Sequence, residues 1–429
     1  MKPASKRPLS LYLHFPFCVR KCRYCDFLSF PADDGARQRY LDRLEAEIRF
    51  RGPAYRDCQV VTVFVGGGTP SIMTPDQIRR LFGTLYECFD ISPTAEISME
   101  CNPGTADPDK LLAMRAAGVN RISFGLQSMD DRELAYLGRI HTAADFLESY
   151  RDARRAGFDN INVDLMSALP GQTLSSYKKG LEAVLELKPE HISAYSLIIE
   201  EGTPFWQLYG TPETAAQKAA SLSSAEPTAS SPASAEEQIT RMDGGRSPQA
   251  GQESPTVRKP FETILPLPSE EEEREMYALT GRLLAEAGYH RYEISNYTEA
   301  GYECAHNKVY WQRGDYLGLG LGAASLVGDR RFGCSRDMKR YLTDFTYEEE
   351  QHLSLSDQME EMMFLGLRLT KGVAFADFRQ AFGREMTQVY GEVLKKHRAL
   401  GLLEITGDRA FLTERGLDLA NTVMADFLF

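Results

Sequence analysis

Short β-rich runs alternate with amphipathic helical stretches through residues 9–197. Leu9–Phe15, Val60–Val65, Ala95–Glu100, Asn120–Gly125, Asn160–Met166 and His191–Leu197 read as strands. Several are nearly continuous in apolar residues, the pattern expected of strands covered on both faces. Helical periodicity falls between them, near 38–51, 75–89, 108–117, 142–156 and 174–187. Thr74-Pro75 supplies a cap and a first-turn proline, and Gly118 and Gly157 supply stops. Repeated βα units predict a parallel sheet with right-handed crossovers.

Six such strands suit either a doubly wound sheet or an open, partial barrel. Polar and glycine positions recur just past successive strands, on different loops: Cys18 to Cys25, Gly66 to Thr69, Glu100, Gln127 and Asp164. A barrel gathers the C-terminal ends of its strands around one mouth, where such residues can meet. The expected fold is therefore α/β, a partial parallel (β/α)6 barrel spanning 1–210 and completed by 269–300.

Residues 211–268 break the pattern. Ala, Ser and Pro fill 25 of these 58 positions, and Phe261 is the only aromatic. Such a stretch buries too little apolar surface to offset its ordering entropy, so a disordered insertion is expected. Helical periodicity resumes at 270–287 as the delayed sixth helix, with an acidic first turn that suits the helix dipole. Residues 301–350 are rich in glycine and aromatics and are expected to pack on the barrel. The tail, 351–429, reads as helices at 356–369 and 384–399, strands at 402–405 and 410–412, and a last helix. That order predicts a mainly helical, winged-helix-like module.

The length, 429 residues, allows two or three domains. A net charge of −12 argues against a broad nucleic-acid surface. The first residues do not read as a targeting signal, and no apolar run reaches the roughly 18 residues of a membrane span. Three of the eight cysteines crowd into 18–25 while the others are scattered, which is not a secreted disulfide framework. A reducing cytoplasm is expected.

Cys18-x3-Cys22-x2-Cys25 is the strongest chemical signal. Three thiolates this close on one loop can address one metal centre, and iron–sulfur clusters favour thiolate ligands. A structural zinc site would want a fourth nearby Cys or His, and His14 lies on the strand rather than in the loop. A cubane cluster held by three cysteines leaves one iron without a protein ligand, able to chelate the amino and carboxylate groups of a methionine. Arg20, Lys21 and Arg23 adjoin the cysteines and are expected to serve them.

The segment LYLHFPFCVRKCRYCDF resembles the cluster loop of radical SAM proteins. The resemblance extends over most of the chain: GGGTPS at 66–71, ECNPG at 100–104, RISFGLQS at 121–128, INVDLMSALPGQT at 161–173, HISAYSLIIEEGTPF at 191–205 and HNKVYW at 306–311. This is the pattern of the coproporphyrinogen III dehydrogenase-like group, and residues 211–268 depart from it. The resemblance implies a [4Fe-4S] cluster on Cys18, Cys22 and Cys25 with S-adenosylmethionine on the open iron. It implies cofactor contacts at Tyr12, Gly67, Gly68, Thr69, Glu100, Gln127, Arg139 and Asp164. Carboxylates suit ribose hydroxyls and an arginine suits the methionine carboxylate, and the glycines would let the cofactor approach the backbone.

The same resemblance associates the HNxxYW stretch with haem and makes His306 the expected ligand, with a structural histidine beside core aromatics as the alternative reading, Cys304 a rival ligand and His290 a weaker one. The Gly318-to-Ala323 stretch superficially resembles a dinucleotide fingerprint. It lacks the strand–turn–helix context, so packing at the barrel mouth is the better reading. Two functions share the cluster and the barrel. One is a dehydrogenase that oxidises propionate side chains of coproporphyrinogen III. The other is a chaperone that binds haem and passes it to acceptor proteins, with an electron donor such as a flavodoxin as a further partner. In the dehydrogenase a further cysteine follows the third ligand after one residue, where this chain has Phe27, and a substantial segment precedes the cluster loop, where this chain has 17 residues before Cys18. Both features favour the chaperone.

Overall fold

The computed structural model describes residues 6–210 and 263–428. Six parallel strands follow one another across the sheet in chain order: β1 (Arg7–Phe15), β2 (Cys58–Gly67), β3 (Ile91–Cys101), β4 (Arg121–Gln127), β5 (Ile161–Ser167) and β6 (His191–Ser196). A doubly wound sheet reverses direction from its first strand. The unbroken order here is that of an open barrel. Helices α1 (Asp34–Arg51), α2 (Pro75–Cys88), α3 (Pro108–Ala116), α4 (Asp131–Leu137), α5 (Ala143–Arg155), α6 (Leu174–Glu186), α7 (Pro204–Tyr209) and α8 (Glu270–Glu286) occupy the connections and the return. Local chemistry starts them. Thr74 and Gln77 form a capping box ahead of Pro75, and Ser269 and Glu272 form another before the four-glutamate first turn of α8.

The period of two along each strand separates two environments. Leu9, Leu11, Leu13, Val63, Val65, Ile97, Met99, Ile122, Phe124, Ile161, Val163 and Ile192 face the helices and form the main core. The alternate positions are polar and face the lumen. There Thr62 donates to Ser10 (2.7 Å), Asn162 donates to Ser123 (2.7 Å), and the His191 ring bridges Asn162 and Tyr292 at 2.6 and 2.9 Å. The strands are thus covered on both faces, as their apolar content predicts, but one cover is a hydrogen-bonded polar interior.

The sheet runs on past the barrel. β7 (His290–Arg291) and β8 (Asn296–Thr298) continue it antiparallel from β6. After helix α9 (Ala305–Trp311), strand β9 (Tyr316–Leu319) lies parallel beside β1, followed outward by β10 (Ala324–Val327), β11 (Arg330–Cys334) and β12 (Tyr347–His352), giving twelve strands. The Gly318-to-Ala323 stretch begins in the sheet, at Gly318 and Leu319, and its end packs beside the loop after β1, where a Cβ on Gly322 would lie 2.6 Å from the Leu28 side chain. A side chain at Gly318 would run into the Ala324 carbonyl, so only glycine permits the tight β9–β10 return.

Buried Glu47 ties this extension to α1. It accepts from Arg51 Nε (2.7 Å), Gly320 N–H (2.9 Å), the Tyr341 hydroxyl (2.9 Å) and the Cys334 thiol (3.2 Å).

Most of the expected insertion, 211–262, lies outside the described residues. Its last six positions are described and correct its boundary: Leu265 N–H donates to Tyr136 Oη, Tyr209 Oη donates to the Leu265 carbonyl, and Gly171 N–H donates to Pro266. The C-terminal part holds a helix at Leu355–Gly366, strand β13 (Val373–Ala374), helices at Phe375–Phe382 and Met386–Ala399, and the hairpin β14 (Leu403–Thr406)–β15 (Arg409–Leu412). The hairpin and β13 make a three-stranded wing over a separate core containing Met363, Phe378, Met386 and Phe427.

Glu47→Ala would leave Arg51 buried without its partner and strip three further donors of their acceptor. Breaking a buried pair this way costs about 3–5 kcal/mol. Urea unfolding of the full chain should show a loss of that size, and an unchanged midpoint would remove Glu47 from the account.

Candidate functional site

The loop from Pro16 to Phe30, between β1 and α1, is tied to the rest of the barrel by its own backbone and by its basic residues. Cys18 N–H donates to the Phe30 carbonyl (3.1 Å), Arg23 N–H to Leu137 (2.9 Å) and Phe205 N–H to Arg23 (3.1 Å). Arg20 reaches the carbonyls of Gly138 (2.9 Å) and Arg139 (3.0 Å), Arg23 that of Tyr136 (3.0 Å), and Lys21 that of Phe27 (2.9 Å). The basic residues therefore pin the loop, largely to the end of α4.

The glycines after β2 serve the same end. Gly68 N–H and Thr69 N–H donate to Phe15 and Phe17 at 2.8 and 2.7 Å. A Cβ on Gly68 would lie 2.6 Å from the Phe17 carbonyl oxygen, and one on Gly67 (φ +113) would lie 2.6 Å from the His14 ring. What comes close on the Cβ side is β1 at Gly67 and the cysteine loop at Gly68, which refines the expectation that these glycines admit a cofactor.

Cys18, Cys22 and Cys25 are free, half-buried thiols lining one cavity of about 300 Å³. Burial pushes the Cys18 thiol up, and the Cys25 thiol up to about 11. Arg139 Nη1 lies 3.6 Å from Cys22 Sγ. Among the described residues no three His, Cys, Asp or Glu side chains are drawn together closely enough to hold a single metal ion. A four-iron cluster takes one thiolate at each of three separate irons and so suits thiols set apart around one space. The donor set fits a [4Fe-4S] cluster.

Gly67, Gly68, Thr69, Glu100, Gln127, Arg139 and Asp164 line the same cavity as the three cysteines. Tyr12 does not. Its hydroxyl pairs with His14 Nδ1 (2.9 Å), and its ring lines two neighbouring cavities. Arg139 is oriented by Asn102 Oδ1 (2.7 Å) and the Gly125 carbonyl (2.5 Å). A Cβ on Gly125 would press on both Asn102 and Arg139, at 2.9 and 3.3 Å. A register shift between Phe124 and Gln127 turns the end of β4, and Gln127 sits at φ 72, a conformation rare for a residue with a side chain. Its amide oxygen accepts from Tyr195 (3.1 Å).

Glu100 Oε2 accepts from Gly67 N–H (3.0 Å). Burial, reinforced by nearby Asp164, raises its carboxyl to about 8, so it carries a proton at neutral pH. Asp164 is also raised by burial, partly offset by the Asn162 amide at 2.7 Å. Asn102, Tyr24, Ser123 and Tyr195 join this wall without having been singled out from sequence. Alternation along the strands could have found Ser123 and Tyr195, and Asn102 stands inside ECNPG.

His306, the expected haem ligand, lies inside the barrel. His306 is 1% exposed. Its Nδ1 pairs with Thr62 Oγ1 (2.8 Å), its Nε2 pairs with Tyr310 Oη (2.9 Å), and its ring stacks on Phe64 at 5.2 Å. Burial lowers the imidazole to about 3. Both nitrogens are engaged within the protein, and His306, Asn307 and Tyr310 line a cavity of about 240 Å³ at the floor of the barrel. Cys304 is fully buried against Glu96, while His290 is exposed beside Glu303.

An open parallel barrel with three thiols on its first loop, above a polar lumen, defines a radical SAM protein. The radical SAM superfamily pattern matches residues 12–184, and the HemN C-terminal domain matches 353–419. The chain is 33% identical to the heme chaperone HemW of Bacillus subtilis over 98% of its length and 99% of the relative's. It is 30% identical to that of Escherichia coli, covering 98% of each. The solved coproporphyrinogen III oxidase HemN of Escherichia coli shares the fold, with a TM-score of 0.75 at 24% identity over 98% of this chain and 90% of that one. The chain belongs to the HemW family of radical SAM proteins, and its cofactors are a [4Fe-4S] cluster and S-adenosylmethionine.

Glu100 makes stability fall as pH rises. Its folded value of about 8 lies above its ordinary 4.5, so between these limits the unfolded chain releases a proton that the folded chain keeps. Glu100→Gln retains an acceptor for Gly67 and removes the titration. In thermal melts of ligand-free protein, the variant should gain on the parent steadily across that interval. A constant difference would contradict the assignment.

Proposed function

We propose that this protein binds haem and delivers it to acceptor proteins. It would hold the cluster on Cys18, Cys22 and Cys25 and S-adenosylmethionine against Gly67, Gly68, Thr69, Glu100, Gln127, Arg139 and Asp164. The observation that carries the reading is the full-length match to heme chaperones HemW, joined to Phe27 at the cluster cavity. Phe27 stands two residues past Cys25, where the dehydrogenases of the group have a further cysteine, and it is 63% exposed at the cavity edge. When bound, the cluster supplies an electron and an open coordination site for the amino-acid end of the cofactor.

The chain's own residues do the rest. Arg139 offers a cation beside Cys22 for a carboxylate, protonated Glu100 and Asp164 face polar hydroxyls, and the Phe15–Gly68 and Phe17–Thr69 bonds tie the loop to the end of β2. No helix among the described residues is long and apolar enough to cross a membrane, and we place the protein in the cytoplasm. An electron donor such as a flavodoxin is the further partner this reading asks for, since a cluster must be reduced before it passes on an electron.

The anaerobically reconstituted protein should bind haem stoichiometrically, release it to an apo-haemoprotein, and show no turnover of coproporphyrinogen III. His306→Ala should leave the haem spectrum unchanged while lowering stability by about 2–4 kcal/mol, because it empties a packed, doubly bonded site. Sustained formation of protoporphyrinogen would overturn the chaperone reading. An altered haem spectrum in His306→Ala would restore the histidine as ligand.

A further inference from the structure

Arg121 opens β4 on its lumen side, at the floor of the barrel. It is 2% exposed, among the largest fully buried side chains in the molecule. Its guanidinium makes no hydrogen bond or ion pair among the described residues, and its Nε is wholly buried without a partner. Leaving a buried charge unpaired is among the costliest arrangements a fold can hold.

The two carboxylates whose fields reach it are committed elsewhere. Glu96 accepts from the backbone N–H of Ala305 (2.9 Å) and His306 (3.0 Å), and Asp164 accepts from Asn162. Ser98, paired in register with Arg121 on β3, is likewise fully buried with an unpartnered hydroxyl.

Arg121 borders a cavity of about 240 Å³ that Ser123, Asn162, Ser193, His306 and Tyr310 help to line. Glu100, Ser123 and Asp164 line both this cavity and the cluster cavity. At the open side of the barrel it meets a third space, of about 410 Å³, through Tyr12, Glu100 and Tyr310. The lumen thus has a vacant fork of donors at its floor and a path to it from the side.

We propose that the barrel floor is a second ligand site, separate from that of S-adenosylmethionine, in which Arg121 receives a carboxylate. Arginine presents parallel N–H donors that match a carboxylate's two oxygens. Glu96 and Asp164 in the surroundings favour a monoanion over a doubly charged phosphate. The carboxylate comes either from the propionate arm of a bound tetrapyrrole or from a free small acid. The first source rests on the haem reading above; the second does not.

Two titrations on the full reconstituted chain decide this. Haem is compared with haem dimethyl ester, which lacks free carboxylates, and sodium propionate is compared with sodium chloride at equal ionic strength in thermal melts. If the tetrapyrrole arm is the occupant, haem binds about tenfold or more tightly than its ester, and Arg121→Gln abolishes the gap. If a free acid is the occupant, haem and ester bind alike, and propionate raises the melting temperature of the parent but not of Arg121→Gln. Should that variant fail to fold, Arg121→Lys keeps the charge and loses the fork: a reduced effect supports the site and an undiminished one overturns it. Failure of both haem and ester to bind would end the haem reading while the propionate arm still decides this one. If nothing depends on Arg121 in either titration, the floor holds water only and the proposal is wrong.

Discussion

Everything in this molecule depends on the two-sidedness of a β-strand. Successive side chains point to opposite faces, so six parallel strands in chain order sort their residues into an apolar layer under the helices and a polar layer around the lumen. A polar interior is stable only if its groups are paired with one another. Ser10 with Thr62, Ser123 with Asn162, and His191 with Asn162 and Tyr292 are that pairing. Where pairing fails, at Ser98 and Arg121, the lumen is unfinished by the protein alone.

Both ends of the barrel are closed by segments that answer to this interior. At the top, the cysteine loop lies on the Gly68 backbone so closely that no side chain fits between them. Arg139 links loop and strand ends through Cys22, Asn102 and the Gly125 carbonyl. At the bottom, α9 is held by Glu96 at its start and by His306 against Thr62 and Phe64. Trp311, at the far end of α9, carries Arg368 over its ring (4.3 Å), connecting the floor to the C-terminal helices. The chemistry is thus suspended between two plugs and reached from the side.

Much of this was legible in the residues. The six strands and the helices between them announce themselves through β-rich runs, Thr-Pro and Ser-Glu caps and glycine stops. The cysteine spacing names its own metal chemistry, and seven of the eight anticipated cofactor residues share the cysteines' cavity. The misses have a common physical cause: they depend on partners distant in the chain. The pairing of His306 Nδ1 with Thr62, 244 residues away, cannot be read from the HNKVYW segment. Tyr316–Leu319 lacks the β-branched residues that advertise a strand, and becomes one because β1 offers its edge. Tyr12 faces the lumen but below the mouth, a depth along the strand that alternation does not reveal. Residues 263–268 resemble the segment before them in proline content, yet Tyr136 and Tyr209 capture Leu265.

The central claim is that three cysteines on one loop hold a four-iron cluster with an iron left open. Its most direct test is Mössbauer spectroscopy with iron and sulfide analysis of the anaerobically reconstituted chain, with and without S-adenosylmethionine. About four irons per chain should assemble, one should change its signal on addition of the cofactor, and each of Cys18→Ala, Cys22→Ala and Cys25→Ala should lose most of the iron. A full cluster in the triple variant, or four irons indifferent to S-adenosylmethionine, would contradict the account.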